Sequence, residues 1–140
     1  MTDDGVEPAL VPEFLVRDVV KSMDFWCGLC DFGVLYHRLE EGFAYLVRDS
    51  AHVMLEQAGV GRNWWTGPLQ APLGRGIHFQ ITVTDLEPLL TSLRHADWAL
   101  FMNPEERWYR VAGGEAGVRQ FLVSDPDGYL LRFQAPIGRR

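Results

Sequence analysis

One pattern occurs twice along this chain, and it constrains the fold more than any other feature. Val16-Arg17-Asp18-Val19 in the first half answers Val83-Thr84-Asp85-Leu86 in the second. In each half an apolar, strand-like run leads into an aspartate suited to cap a helix, and apolar residues then recur at helical spacing. Val11–Val16 is the first strand, and Val19, Met23, Trp26 and Cys27 mark an amphipathic helix over Val19–Leu29. Asp31-Phe32-Gly33 ends that helix. Short strands follow at about 33–39, 43–48 and 52–57, with turns at Glu41-Gly42 and Asp49-Ser50.

After a Gly-, Pro- and Trp-rich linker at 58–75 the order restarts. Gly76–Val83 is a strand, Asp85 a cap, and Leu86–His95 a helix with Leu86, Leu89, Leu90 and Leu93 on one face. Strands are expected near 98–102, 107–112 and 117–123, and Ser124-Asp125-Pro126-Asp127-Gly128 turns the chain into Tyr129–Gln134. The second half thus holds either one extra short strand or one segment that is a loop. The repeat predicts an α+β protein of two βαβββ units, about 11–57 and 76–135, within a single domain over 1–140. A four-stranded sheet with one helix leaves one face uncovered, so the expectation is that the two units pair and curve their mixed sheets into a cup.

Bulk properties narrow the partners. At 140 residues the chain is one domain's worth, and its net charge of −6 argues against nucleic acid and anionic membranes, which need a basic face. The start, MTDDGVEPAL, is acidic and lacks the apolar core of a signal peptide; with residues 1–10 read as a flexible lead-in, the expectation is a cytoplasmic protein. No apolar run is long enough to span a bilayer. Cys27 and Cys30 have C-x-x-C spacing, but they sit at the C-terminal pole of their helix, where the dipole does not activate a thiol. They are expected to be small apolar core residues.

Four segments taken in order, VPEFLVRDVVKSMDFW, EGFAYLVRDSAHVMLEQ, GIHFQITVTDLEPLL and RQFLVSDPDGYLLRF, resemble the vicinal-oxygen-chelate superfamily, and its glyoxalase/bleomycin-resistance branch in particular. The resemblance covers residues 11–135 and implies paired βαβββ units, usually dimeric, with a ligand cup inside each curved sheet. It implies two kinds of function, since some members are metal enzymes and others bind and sequester a drug.

Metal-dependent members place His, Gln or Glu on the first and last strand of each half. Those positions here are Val11, Met54, His78 and Arg132, of which His78 alone is a ligand type. Arg132 cannot lose its proton and would bring positive charge into the site. Glu13 and Glu56 share faces with Val11 and Met54, so a displaced Glu13/Glu56/His78 site is the metal alternative. Against it, Arg132 offers both carboxylates an ion-pair partner. His78 is otherwise read as a hydrogen-bonded histidine lining the cup. His37, His52 and His95 fall on or beside positions expected to be solvated.

No other motif carries chemistry. Val111–Gly117 is Gly-rich but lacks the lysine and following helix of a phosphate loop, and reads as a hairpin or a mobile loop. Ser124–Gly128 lacks calcium-loop spacing. The serines stand in no nucleophile elbow. Trp64-Trp65 in the linker and Trp108-Tyr109 after Glu105-Glu106 suit a planar or cationic ligand, or else plug a core or dimer seam.

The leading reading is a dimeric, metal-free, drug-sequestering protein. Its cup is lined by Glu13, Glu56, His78, Gln80, Arg132 and Gln134 and covered by Trp64, Trp65 and Trp108, with no cofactor. The alternatives are a metal-dependent lyase or dioxygenase at the displaced site, and a metal-free enzyme using Glu13, Glu56 or His78 as general base with Arg132 holding an anion.

Overall fold

A computed structural model of the chain describes residues 7–140. The expected flexible lead-in at 1–10 falls outside the described residues as far as residue 6. Two compact units meet between Ala71 and Pro72, inside the expected linker.

The first unit runs β1 (Glu13–Val16), α1 (Val19–Met23), a π-helical turn (Asp24–Leu29), β2 (Gly33–Arg38), a short 3₁₀ turn (Leu39–Glu41), β3 (Phe43–Arg48) and β4 (Ala51–Gln57). Its strands lie in the order β1-β4-β3-β2. The β1–β4 pair is parallel and the others are antiparallel, so the sheet is mixed. Asp18 caps α1 as expected, its carboxylate accepting from the Val20 and Lys21 N–H groups at 3.1 and 3.2 Å. Gln57 Oε1 accepts from Val19 N–H at 3.0 Å and ties the end of β4 to the start of α1.

The expected helix over Val19–Leu29 is not α-helical throughout, because it widens to i→i+5 bonding from Asp24 onward. Asp31 then ends it at a φ of 62°, in the left-handed region that Asp tolerates better than most residues. Phe43, Tyr45 and Val47 form a buried cluster on one face of the sheet, and the other face, under α1, carries an apolar core. Phe14, Trp26, Phe25 and Phe32 are buried, and Trp26 meets Phe14 at 5.3 Å and the edge of Phe32 at 5.1 Å. Each buried ring of this size contributes roughly 2–3 kcal/mol of apolar transfer energy.

The second unit repeats the plan: β5 (His78–Thr82), α2 (Glu87–His95), β6 (Met102–Val111), β7 (Gly114–Ser124) and β8 (Leu130–Arg139). Its order, β5-β8-β7-β6, with β5–β8 parallel, is that of the first sheet. The ambiguity over an extra strand resolves to a loop. Residues 98–101 are not a strand, and one ten-residue strand, β6, replaces the two short strands expected near 98–102 and 107–112. Asp85 accepts from Glu87 N–H at 3.0 Å at the start of α2. The helix buries Leu89, Leu90 and Leu93. Arg119 on β7 reaches Glu87 on α2 at 2.7 Å, so α2 lies on the face that Arg119 shares with buried Phe121 and Val123.

The turn at 124–128 is built on Asp125, whose buried carboxylate accepts from the Asp127 and Tyr129 N–H groups, each at 2.9 Å. The Gly-rich stretch is a hairpin, with Val111 paired to Gly114. Among the described residues no helix is long and apolar enough to cross a membrane.

Candidate ligand site on the first sheet

Because alternate residues of a strand face opposite ways, the face of the first sheet turned away from α1 can be read across the register. One row is Glu13, Met54, Tyr45, Tyr36; the next is Leu15, Glu56, Phe43, Arg38. Glu13 and Glu56 therefore stand diagonally on adjacent parallel strands, and the aromatic residues of β2 and β3 extend their face.

Tyr45 is only 1% exposed, stacks on Tyr36 at 5.3 Å and shares a 2.8 Å hydrogen bond between its hydroxyl and His52 Nδ1. His52 is thus a half-buried partner of Tyr45, which corrects the expectation that it is solvated; the tyrosine hydroxyl needs a partner when buried. Phe43 is buried, and the Arg38 guanidinium lies over it, 4.1 Å from the ring centroid, while bonding Glu41 at 2.5 Å.

The chain after β4 folds back over this region. Asn63 accepts from Gly59 N–H at 2.6 Å, which pins the loop and carries Arg62 and Trp64 to the rim. The result is a cavity of about 510 Å³ within the first unit. Glu13, Glu40, Glu41 and Glu56 supply acid, Arg38 and Arg62 supply base, and Phe43 and Trp64 supply aromatic wall. Burial first, then the neighbouring Glu56, hold the Glu13 carboxyl above its ordinary value, and Arg38 partly offsets them.

Of the residues expected to line a ligand site, this cavity gathers Glu13, Glu56 and Trp64. Trp65 is exposed and outside its lining. Sequence reasoning missed Arg38 and Phe43. Neither stands at a position the family resemblance marks for a ligand, and only the pairing of β2 and β3 with β4 brings them beside Glu56.

The corresponding rows of the second sheet are Gln80, Arg132, Leu122, Met102 and Thr82, Gln134, Gln120, Glu105. Arg132 Nη2 donates to Gln80 Oε1, and Gln134 Nε2 donates to Thr82 Oγ1 at 3.2 Å. Gln120, 4% exposed and not anticipated, donates to Tyr109 Oη at 2.7 Å and Glu105 at 3.2 Å. Buried Gln120 Oε1 and Arg132 Nε have no hydrogen-bond partner among the described residues. His78 opens β5 and is exposed, without the hydrogen bond expected of it among the described residues. Trp108 pairs with Gly117, one residue out of phase with the Gln120 row, and so sits on the opposite face, with Arg140 4.2 Å from its ring.

The family's metal positions can now be tested. Met54 pairs with Glu13 as Arg132 pairs with Gln80, so the two are equivalent in register. A thioether and a protonated guanidinium do not suit a hard or borderline divalent ion. Among the described residues no group of three or more His, Cys, Asp or Glu side chains is placed to hold one. The inherited ligand positions do not fit the metal. The cysteines fit their apolar role, since both are free and burial, then Asp24, raise the Cys27 thiol, the opposite of activation.

No family model matches the chain. Bleomycin resistance proteins of Geobacillus stearothermophilus and Staphylococcus aureus are each 25% identical to it over 132 residues, 88% of this chain and 92% of theirs. A glyoxalase/bleomycin resistance protein/dioxygenase superfamily member from Vibrio splendidus 12B01 is 37% identical, covering 91% of this chain and 97% of its own, with a TM-score of 0.42. The likeness of fold rests instead on TioX from Micromonospora sp. ML1, with a TM-score of 0.70 at 18% identity over 94% of this chain and 98% of its own. With two βαβββ units in the order the repeat predicts, and these relatives spanning nearly its whole length, the chain belongs to the glyoxalase/bleomycin-resistance branch of the vicinal-oxygen-chelate superfamily.

Proposed function

We propose that this protein is a cytoplasmic, dimeric, metal-independent small-molecule binder of the drug-sequestering kind, and that it takes a planar, positively charged ligand. The acidic, aromatic cavity of the first unit carries this reading. Four glutamates outnumber two arginines around Phe43 and Trp64. Rings supply stacking area and a negative face to a cation, and carboxylates supply its counter-charge. Gln80, Gln134 and His78 offer hydrogen bonds on the second sheet, and exposed Trp65 is the further aromatic candidate, whereas Trp108 lies on the opposite face. The bleomycin resistance proteins among its relatives make a bleomycin-type drug the first ligand to test.

Calorimetric titration with bleomycin and with a planar aromatic cation such as N-methylacridinium is the experiment. Saturable heat is expected for the cation. No heat from either at high micromolar concentration overturns the assignment. The dimer reading rests on the edge strands of the two sheets, and light scattering after size exclusion tests it, a monomer at micromolar concentration refuting it.

One observation favours a second reading, the displaced metal site: Glu13 and Glu56 share a face. Stoichiometric metal in protein purified without a His tag, with a gain in thermal stability on adding Ni, Zn, Mn or Fe, would support it over the first.

A further inference from the structure

The second unit holds a cavity that the proposed function does not use, on the helix side of its sheet. Helix α2 spans nine residues, and β6 is an edge strand of its sheet. Between them, and walled by the loop that joins them, lies a space of about 350 Å³. Leu90 and Leu93, both buried, form its apolar wall on the helix side. The indole of Trp98 forms another wall. Its Nε1 donates to the Ser124 carbonyl oxygen at 3.0 Å, so the ring is held in one orientation.

The charges here run opposite to those of the first cavity. Arg94 and Arg119 line it with one acid, Glu87, which Arg119 already bonds at 2.7 Å. Arg94 makes no ion pair among the described residues. It stands seven positions after Glu87 on α2, two turns along the same face. In a chain of net charge −6 this is a local excess of cation beside apolar wall, of a size that suits a small organic molecule.

We infer that this cavity binds a small amphipathic monocarboxylate, an organic acid whose apolar body lies against Leu90, Leu93 and Trp98. Its carboxylate accepts from Arg94 and shares Arg119 with Glu87. Guanidinium groups match a carboxylate with paired N–H donors, and one uncompensated arginine matches one charge. The inference is independent of the first-unit cavity and stands if the drug-binding reading fails.

Three probes of one chain length separate head group from tail: sodium octanoate, octan-1-ol and octylammonium. The readout is the Trp98 indole resonance in proton–nitrogen correlation spectra of the full chain, assigned by its loss in Trp98→Phe. Octanoate is expected to shift it saturably, while the alcohol and the ammonium at equal concentration do not. Arg94 is exposed, so Arg94→Gln should fold normally and weaken octanoate about fivefold or more, the loss of one charge-assisted contact. Glu87→Gln frees Arg119 and should tighten binding. An equal shift by octan-1-ol or octylammonium overturns the inference. So does an affinity unchanged in Arg94→Gln, an affinity weakened by Glu87→Gln, or no shift with millimolar octanoate.

Discussion

Arg38 occupies the position over Phe43 that an aromatic-bound cation would take, and this makes its removal the sharpest test of the first cavity. The guanidinium lies 4.1 Å from the Phe43 centroid and 2.5 Å from Glu41. A cation–π contact at an exposed site is worth about 0.5–1 kcal/mol. An ion pair this exposed, with side chains 47% and 58% accessible, adds between about 0.2 and 1 kcal/mol. A cationic ligand that takes this position must first displace contacts worth roughly 0.7–2 kcal/mol. Arg38→Met keeps an apolar stem over Phe43 and removes the competitor. The expected outcome is N-methylacridinium binding tightened by about three- to thirtyfold in calorimetry at low salt. Part of that gain should fade at high ionic strength, where the charge component is screened. The same change should lower the stability of the free protein by about 1 kcal/mol in urea unfolding, so affinity and stability move in opposite directions. Weaker cation binding in Arg38→Met would show that Arg38 holds an anion, and would sink both the displacement argument and the cationic assignment.

Two further outcomes follow from the structure. Burial and Glu56 raise the Glu13 carboxyl, so its protonated form is favoured by the fold; its stabilising contribution is complete below the unfolded value, near 4.5, and is lost as pH rises through the folded value. Glu13→Gln should therefore be more stable than the parent at neutral pH, with the difference closing in acid. It should also abolish the loss of cation affinity as pH falls through that window; a pH profile that Glu13→Gln leaves unchanged refutes it. Gly74 has a φ of 72° and a Cβ there would lie 2.4 Å from Tyr129 Cδ1. Gly74→Ala should thus cost roughly 2–4 kcal/mol in denaturant unfolding, and a neutral result would contradict the close packing of the 72–77 segment on the 124–129 turn.

Sequence reasoning read the fold well wherever local rules decide it. Asp18 and Asp85 announce their helices because a carboxylate capping free N–H groups needs only neighbouring residues. The turns at Glu41-Gly42 and Asp49-Ser50 were legible because Gly42 and Asp49 adopt positive φ. The misreadings arise where several non-local contacts compete. The π-helical widening at Asp24–Leu29 goes with burying Phe25 and Trp26 together, and periodicity alone does not report it. The strand expected near 98–102 is loop as far as residue 101, and β6 runs unbroken from Met102 to Val111 because it pairs with β7 across an irregularity, which alternation within one segment does not report. The candidate site was half legible for the same reason. Glu13 and Glu56 follow from alternation within strands next to a known position, whereas Phe43, Arg38 and Gln120 reach their places only through cross-strand register.

That register is what the two halves have kept while their chemistry diverged. Glu13 and Gln80, Met54 and Arg132, Phe43 and Gln120, and Arg38 and Glu105 hold matching places in the two sheets. On the helix side both units present buried apolar residues at the matching places, Phe14 and Ile81, Leu55 and Phe133. On the other side the matched places differ in kind: acid against amide at Glu13 and Gln80, ring against amide at Phe43 and Gln120, thioether against guanidinium at Met54 and Arg132, and guanidinium against acid at Arg38 and Glu105. The division is physical. Change on the helix side leaves cavities or overpacks a core, at roughly 1–5 kcal/mol each. The opposite face can exchange polar types provided each buried group finds a partner. Gln120 Oε1 and Arg132 Nε are the two atoms there for which the described chain supplies none. Both atoms are buried, one acceptor and one donor on neighbouring strands of a single face, so the departures from that rule fall on the side where the two sheets have changed their chemistry.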